Sequence, residues 1–307
     1  MSPPTPEGKI AAMDNLTQDS GRVRHGRKSA LRRALRRLTR NPAVICALFV
    51  LAIVLFFAAI SPFLPIDPYK SNFGARLRPP SSFAWLGTDQ LGRDLLVRII
   101  AGSRIALMVG FISVSIGLVI GGLLGLLSGM LPNTRIDAVL MRCMDIILAF
   151  PWLLIVIAVI ALLGSSIRNA MIAIGITLIP EFARLTRSLV LATHNQDFVL
   201  AAKSLGASRL RIAFRHVMPH CVAQLVVLST VRMGRAILSE AGLSYLGLGV
   251  QPPHPSWGSM IASGQNYLLT APHASLVPGL AVLIIVMALN IAGDGLRDAL
   301  DPKGVVK

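Results

Sequence analysis

The chain has 307 residues, of which 54% are hydrophobic and only 14% are charged, and its mean hydropathy is +0.67. Soluble domains carry about 25% charged residues, so this composition excludes an ordinary soluble domain and predicts an integral membrane protein. The 30 basic residues outnumber the 14 acidic ones, which gives a formal net charge of +16 at pH 7.

Residues 1–42 form a strongly basic N-terminal region. Ten Lys and Arg residues precede Asn41, and the densest run is Arg32, Arg33, Arg36, Arg37 and Arg40. A basic arm can bind nucleic acid or anionic lipid. Because this one adjoins a long apolar run, we expect membrane lipid headgroups as its partner, no nucleic acid, and a cytoplasmic location under the positive-inside rule.

Six segments are candidates for crossing the membrane, which takes about 20 mostly apolar residues. Four are clear: residues 43–64, 105–130, 146–163 and 276–292. Two weaker candidates carry charged residues, at 169–191 and 220–243. Together they predict a six-helix polytopic protein.

This count defines a topology and its parts. With the N-terminal region inside, the first transmembrane helix (43–64) leads to an extracytoplasmic loop (65–103). A core domain with five transmembrane helices (104–293) follows, and then a cytoplasmic C-terminal tail (294–307). The basic segment 200–219 follows four spans and therefore also lies in the cytoplasm, which its four basic and no acidic residues support.

The segment 200–219, LAAKSLGASRLRIAFRHVMP, is the most distinctive part of the sequence. It is polar and helix-forming, and it lies between two groups of apolar runs. Ala201, Ala202 and Gly206 predict a small-residue face that another protein can approach closely, and Pro219 closes the segment. We interpret it as a cytoplasmic docking helix.

A ridge of small residues marks the second span. Ser113, Gly117, Gly121, Gly125 and Gly129 recur every four residues, so one helix face is flat enough for close packing. The sequence leaves open whether this face packs within the chain or against a partner protein.

Charged residues also interrupt the two weaker spans, and such residues usually pair internally or line a water-filled path. Glu181, Arg184 and Arg187 follow Pro180 in one span. Arg232, Arg235 and Glu240 lie in the other. Arg184 and Arg187 can simply mark the cytoplasmic end of their span. We predict that Arg232, Arg235 and Glu240 contribute to a solute path or gate, with internal pairing as the alternative for Glu240.

The sequence predicts no cofactor or metal bound by this chain. It contains no G-x-x-x-x-G-K-S/T phosphate-binding loop. Cys46, Cys143 and Cys221 have no metal-site spacing. His216 and His220 have helical i,i+4 spacing but no carboxylate nearby, which favours an interfacial pair over a metal site.

From about residue 36 to 302 the chain resembles the permease subunits of ATP-binding cassette (ABC) importers, specifically the C-type inner-membrane component of dipeptide and oligopeptide (peptide/nickel) systems. Ala201, Ala202, Gly206 and Pro219 are in register with that family's cytoplasmic motif, whereas Leu200 stands where Glu is usual. Further matching blocks are LGTDQLGRD at 86–94, EAGLSYLGLG at 240–249 and PSWG at 255–258.

The resemblance implies an all-α, type I ABC importer permease of a bacterial inner membrane, with both termini in the cytoplasm. Its partners would be a second permease in a heterodimer, two ATP-binding subunits and an extracytoplasmic solute-binding protein. ATP and Mg²⁺ would be used only by the ATPase subunits, so this chain would not be an enzyme. The solute would be a dipeptide or oligopeptide, with nickel complexes and glutathione-like peptides as alternatives. A secondary transporter without ATPases is the rival class.

The resemblance also implies roles for particular residues. The expected ATPase-coupling residues are Ala201, Ala202, Gly206, Ala207 and Pro219. Asp89, Arg93 and Asp94 would receive the solute-binding protein at the outer loop, or else form internal ion pairs in a solvated loop. Arg232 and Arg235 stand where similar proteins tend to carry uncharged residues, which would favour an anionic or carboxylate-bearing solute.

Overall fold

The computed structural model describes residues 41–300, which form helices joined by loops and contain no β-strand. The basic region 1–40 and the end of the tail, 301–307, lie outside the described residues. Nine α-helices are numbered here in chain order: α1 Pro42–Ile60, α2 Leu95–Met130, α3 Arg135–Ala149, α4 Trp152–Leu163, α5 Ile167–His194, α6 Asp197–Ser204, α7 Arg209–Tyr245, α8 Trp257–Gly264 and α9 His273–Leu300. Short π-helical stretches interrupt α2 at Gly117–Gly121 and α7 at Ile212–Val217.

Four described helices are long and apolar enough to cross a membrane: α1 with its 3₁₀ extension to Phe63, α2, α7 and α9. The bent pair of α3 and α4 would make a fifth span. Helix α5 has 28 residues and contains Glu181, Arg184 and Arg187, and it is outside this apolar set. The all-α membrane fold is confirmed, whereas the count of six spans stays a prediction.

The expected continuous span at 146–163 is wrong. Helix α3 ends at Ala149, α4 begins at Trp152, and the two helices are bent by 92°. Pro151 lies in the break. A proline disfavours the helical conformation of the residue before it, and Phe150 is extended, with φ −94° and ψ 141°.

Helices extend into two of the regions predicted to lie outside the membrane. Helix α2 begins at Leu95, within the predicted loop 65–103, and the Asp94 carboxylate caps it by accepting from the Leu96 and Val97 N–H groups. Helix α9 continues to Leu300, within the predicted tail 294–307. Near its end α9 packs on the first turn of α1, where a Cβ at Gly295 would contact Val44 at 2.6 Å.

The small-residue ridge of α2 packs within the chain, against α5. A Cβ added at Gly117, Gly121, Gly125 or Gly129 would lie 2.7–2.8 Å from side-chain atoms of Leu178, Phe182, Thr186 and Val190, respectively. The Ser113 hydroxyl also donates to the Met171 carbonyl over 2.9 Å. Residue numbers rise together along both helices, so α2 and α5 run parallel. The ridge therefore packs within the chain, which is one of the two alternatives that the sequence left open.

The loops fall at two ends of the bundle. The proximal end contains the turns at 131–134 and 205–208, since Leu131 and Leu210 line one small cavity. The distal end contains 64–94 and 246–272, since Trp257 lies against Gly102 near the start of α2. Helix α7 runs from the proximal to the distal end. It therefore links the predicted docking segment to the charged residues within the bundle.

Candidate functional site

The predicted docking segment is a helix, a turn and the start of a second helix. Helix α6 ends at Ser204, and Gly206 adopts φ +78°. The Leu205 N–H donates to the Ala201 carbonyl and the Ala207 N–H to the Ala202 carbonyl, at 3.0 and 3.1 Å. A glycine in the left-handed region is a common way to end a helix. The expected single helix over 200–219 is therefore wrong.

The five expected coupling residues do not share one face. Ala201 and Pro219 are exposed, Ala202 is buried within the chain, and Ala207 is half-buried. Gly206 lies in the turn, and a Cβ there would meet no atom within 4 Å. The expected small-residue face of Ala201, Ala202 and Gly206 is therefore wrong, although all three lie in one short segment at the proximal end.

The segment instead exposes large apolar side chains among basic ones. Leu205, Leu210 and Phe214 are 88%, 72% and 55% exposed, and with Lys203, Arg209, Arg211 and Arg215 we call them the proximal patch. None of these basic residues forms an ion pair within residues 41–300. Exposed apolar clusters of this kind mark interaction sites. Leu205, Leu210 and Phe214 were not among the predicted site residues, although large apolar residues within a polar, basic segment could have indicated them.

Three charged residues of α5 and α7 form a cluster between the two helices. Glu181 forms ion pairs with Arg232 and Arg235, and the Arg235 pair measures 3.3 Å. The Arg235 side chain is about twice as exposed as that of Arg232, at 48% against 25%. It lines an open cavity of about 690 Å³ together with Trp152 and Tyr245. The structure therefore brings together two of the three predicted path residues, and adds Glu181.

The third predicted path residue is placed differently. Glu240 is 2% exposed and accepts a 2.6 Å hydrogen bond from the Ser244 hydroxyl. The Val250 N–H in turn donates to the Ser244 oxygen over 2.9 Å. Glu240 thus anchors the loop after α7 and has the internal pairing that was its alternative role. Its expected role on a solute path stays a prediction.

Arg184 and Arg187 of α5 both pair with acidic residues of α3. Arg187 donates two hydrogen bonds of 2.8 Å to the Asp137 carboxylate, which also accepts from the Ser128 hydroxyl. Arg184 donates to Asp145 over 2.5 Å at an exposed site. Neither aspartate was among the predicted site residues, because the partners of these pairs lie 50 and 39 positions apart in the sequence.

The three outer-loop residues are engaged within the chain. Asp89 is 5% exposed and accepts from the Arg93 Nε at 2.6 Å, and Arg98 approaches it at 3.6 Å. Asp94 caps α2, as described above. These contacts are the internal ion pairs that the sequence left as one alternative. The docking role of Asp89, Arg93 and Asp94 stays a prediction.

The fold is that of an ABC transporter membrane subunit. Two inward-facing structures of the MetNI methionine ABC transporter contain a chain that superposes with TM-scores of 0.55 and 0.51. The alignments cover 67% and 66% of this chain and 98% and 97% of the other, at 17% and 16% identity. A likeness at this identity shows the fold alone.

The sequence relationship is more specific. Residues 117–304 match the family of binding-protein-dependent transport system inner membrane components, and residues 29–80 match the N-terminal transmembrane domain of oligopeptide transport permease C. The chain belongs to this family of ABC importer permeases, and the resemblance found in the sequence is confirmed.

Three curated relatives show how far the likeness extends. The chain is 44% identical to the di/tripeptide transport system permease protein DppC of Pseudomonas aeruginosa, covering 90% of this chain and 93% of the relative. It is 41% identical to the dipeptide transport system permease protein DppC of Alkalihalophilus pseudofirmus, covering 90% of both. It is 42% identical to the glutathione transport system permease protein GsiD of Pectobacterium atrosepticum, covering 87% and 88%.

Proposed function

We propose that this permease carries dipeptides or oligopeptides across a bacterial inner membrane, driven by ATPase subunits. The names of the DppC relatives support the solute class, since they describe dipeptide and di/tripeptide systems. The proposal includes a heterodimer with a second permease, two ATPase subunits that use ATP and Mg²⁺, and a solute-binding protein at the distal end. The chain itself is a non-catalytic subunit, and its proximal end and both termini face the cytoplasm.

The observation that carries the coupling role is the continuity of the proximal patch with α7. Leu210 and Phe214 belong to the first turns of this helix. Arg235 lies on the same helix about 32 Å beyond Phe214, at 1.5 Å per residue. Movement of an ATPase subunit bound to the patch would therefore displace a helix that extends through the bundle. Val199 and Val217 are buried in one apolar core, so α6 and the start of α7 would move together.

A charge in the proximal patch tests this role. The double variant Leu205→Asp, Leu210→Asp should abolish co-purification of the ATPase and peptide import. Both leucine side chains are exposed, and the aspartates that replace them would place unpaired charges in the interface with the ATPase. Leu269→Asp is the matched control, because Leu269 is 101% exposed at the distal end. Wild-type import and co-purification by the double variant would refute the coupling surface. Ala202 is unsuitable for this test, since its burial means that a large side chain would disturb the fold.

A glutathione-like solute is the second candidate, favoured by the identity to the GsiD relative. The solute-binding protein that works with this permease can separate the two. A dipeptide should raise its melting temperature more than the same concentration of glutathione does if the first proposal holds, because a ligand stabilises the folded state by RT ln(1 + [L]/Kd), which is larger for the tighter ligand. A larger increase with glutathione would indicate a glutathione-like solute in place of dipeptides.

The cytoplasmic placement has its own test. In a variant with Cys46 and Cys143 replaced by Ser, a cysteine at Lys203 should react with an impermeant thiol reagent only after the membrane is opened. A cysteine at Leu269 should react in intact cells. Both positions are exposed, and Cys221 is buried, so the background is low. Labelling of position 203 in intact cells would show that the proximal end faces outward and would refute the proposed topology.

A further inference from the structure

We propose that Arg235 binds the carboxylate group of the solute midway through the membrane, with Glu181 and Arg232 setting its charge and position. This inference rests on the proposed function, since it requires a peptide to pass this surface. Arg235, which is half-exposed, would contact the solute carboxylate, and Arg232 would act as a positioning residue.

The depth of the cluster makes its charge a functional feature. Arg235 lies 10 residues before the end of α7, a helix long and apolar enough to cross a membrane, or about 15 Å from that end at 1.5 Å per residue. Arginine at such depth is costly next to lipid and usually faces a bundle interior or a water-filled cavity. Because nearly half of the Arg235 side chain is exposed at the surface of this chain, that surface faces a partner protein or an aqueous path.

The cluster carries one surplus positive charge. Glu181 is the only acidic partner of Arg232 and of Arg235 within residues 41–300. Arg232 and Glu181 are about equally shielded, with side-chain exposures of 25% and 26%. Arg235 contacts the same carboxylate through one nitrogen at 3.3 Å, which leaves the rest of its guanidinium free to donate elsewhere.

The space beside Arg235 suits a small peptide. The cavity of about 690 Å³ lies within the roughly 300–1,000 Å³ usual for ligand sites. Its wall includes Gly242 and Gly279, where an added Cβ would meet no atom within 4 Å. Ser239 and Tyr245 add hydroxyl groups to a wall that is otherwise mostly apolar.

The chemistry of the guanidinium points to a carboxylate. Its planar set of donors binds a carboxylate through two parallel hydrogen bonds, and such charge-assisted bonds are stronger in a partly dehydrated site. Every unmodified peptide carries a C-terminal carboxylate and an amino group. The surplus positive charge would attract the first and repel the second, so the peptide would present its carboxyl end to Arg235.

The test compares peptides of different charge in the complete transporter. The permease is co-expressed with the other components of its system, and uptake of Ala-Gln and of its C-terminal amide is measured at saturating peptide. The readout is the uptake ratio of the free acid to the amide. The preferences of the binding protein cancel when variants are compared, because that protein is the same throughout.

A graded series of charges is expected to change this ratio. Arg235→Gln removes the surplus charge and should lower the ratio about tenfold, the effect of losing one hydrogen bond between charged groups. Glu181→Gln adds to the surplus and should raise the ratio. Arg235→Lys keeps the charge but loses the planar donor set, so its ratio should fall between wild type and Arg235→Gln. Arg184→Gln is the control, because Arg184 pairs with Asp145 at an exposed site and does not line the cavity beside Arg235.

The outcomes are distinct. A ratio that stays constant across the series while uptake continues would overturn the carboxylate site and leave the proposed function intact. A wild-type complex that imports neither peptide would refute both. If Arg235→Gln fails to assemble, Arg235→Lys and Glu181→Gln decide, since an unchanged ratio in both would equally refute the inference.

Discussion

Arg187 donates hydrogen bonds from Nε and Nη2 to the two carboxylate oxygens of Asp137, each over 2.8 Å, and so joins α5 to α3. The Asp137 side chain is only 7% exposed and that of Arg187 is 30% exposed. The Asn133 N–H also donates to this carboxylate at 3.3 Å. The pair therefore fixes the turn between α2 and α3 as well as the two helices.

Asp137→Asn should destabilise the protein by about 3 kcal/mol, the lower end of the range for breaking a buried pair, because Arg187 keeps some contact with water. The measurement is the melting temperature of the purified protein in detergent. Asp145→Asn serves as the control: its partner Arg184 and the aspartate are 52% and 47% exposed, and exposed pairs contribute about 0–1 kcal/mol. Equal losses for the two variants would contradict this distinction.

Gly125→Ala should be strongly destabilising, because its methyl group would clash with the Ala183 carbonyl and lie 2.8 Å from the Thr186 Cβ. Overpacking of a tight contact costs about 1–3 kcal/mol. Gly122→Ala is the matched control in the same helix, since a Cβ there meets no atom within 4 Å. Folded yield by size-exclusion chromatography should fall for Gly125→Ala only. A comparable loss for Gly122→Ala would mean that the α2–α5 contact is not the cause.

Gly206→Ala should weaken the turn between α6 and α7 through backbone conformation alone. Its φ of +78° is unfavourable for a residue with a Cβ, by about 1–2 kcal/mol, while the surrounding space is open. Gly206→Asn should cost less, since asparagine tolerates this conformation better. Transport and ATPase co-purification should therefore follow the order Gly, Asn, Ala. A steric contact with the ATPase at this position would instead make Asn, the larger side chain, the worse substitution.

Glu240→Gln should keep peptide import near the wild-type rate, because the amide oxygen can still accept the hydrogen bond of the Ser244 hydroxyl. Glu240→Ala should reduce folded yield, since it leaves a cavity and removes the acceptor from a buried hydroxyl. Uptake per molecule of folded protein separates the two effects. A large loss of uptake in a well-folded Glu240→Gln variant would show that the acid itself takes part in transport.

Most helix positions could be predicted from the sequence, because an apolar run of a given length has few alternatives in a membrane. The break at Phe150 and Pro151 could have been expected from the proline, but the surrounding apolar residues dominate any average over the segment. In the docking segment, Gly206 was predicted to belong to a packing face. Its position just after the eight-residue helix Asp197–Ser204 indicates a helix end instead.

The side-chain partners could not be predicted in the same way. Glu181, Arg232 and Arg235 were each recognised as unusual, yet their pairing depends on how α5 and α7 are rotated about their axes. The ridge of α2 illustrates the same limit. Its spacing predicted close packing, but only the structure shows that Leu178 and Val190 of the same chain fill that face.

The parallel packing of α2 on α5 also restricts how the bundle can change shape. At Gly121 and Gly125 the backbone of α2 lies against backbone atoms of α5, so sliding one helix along the other would drive side chains into main-chain groups. Helices α2 and α5 are therefore expected to shift as one rigid body when the transporter changes conformation.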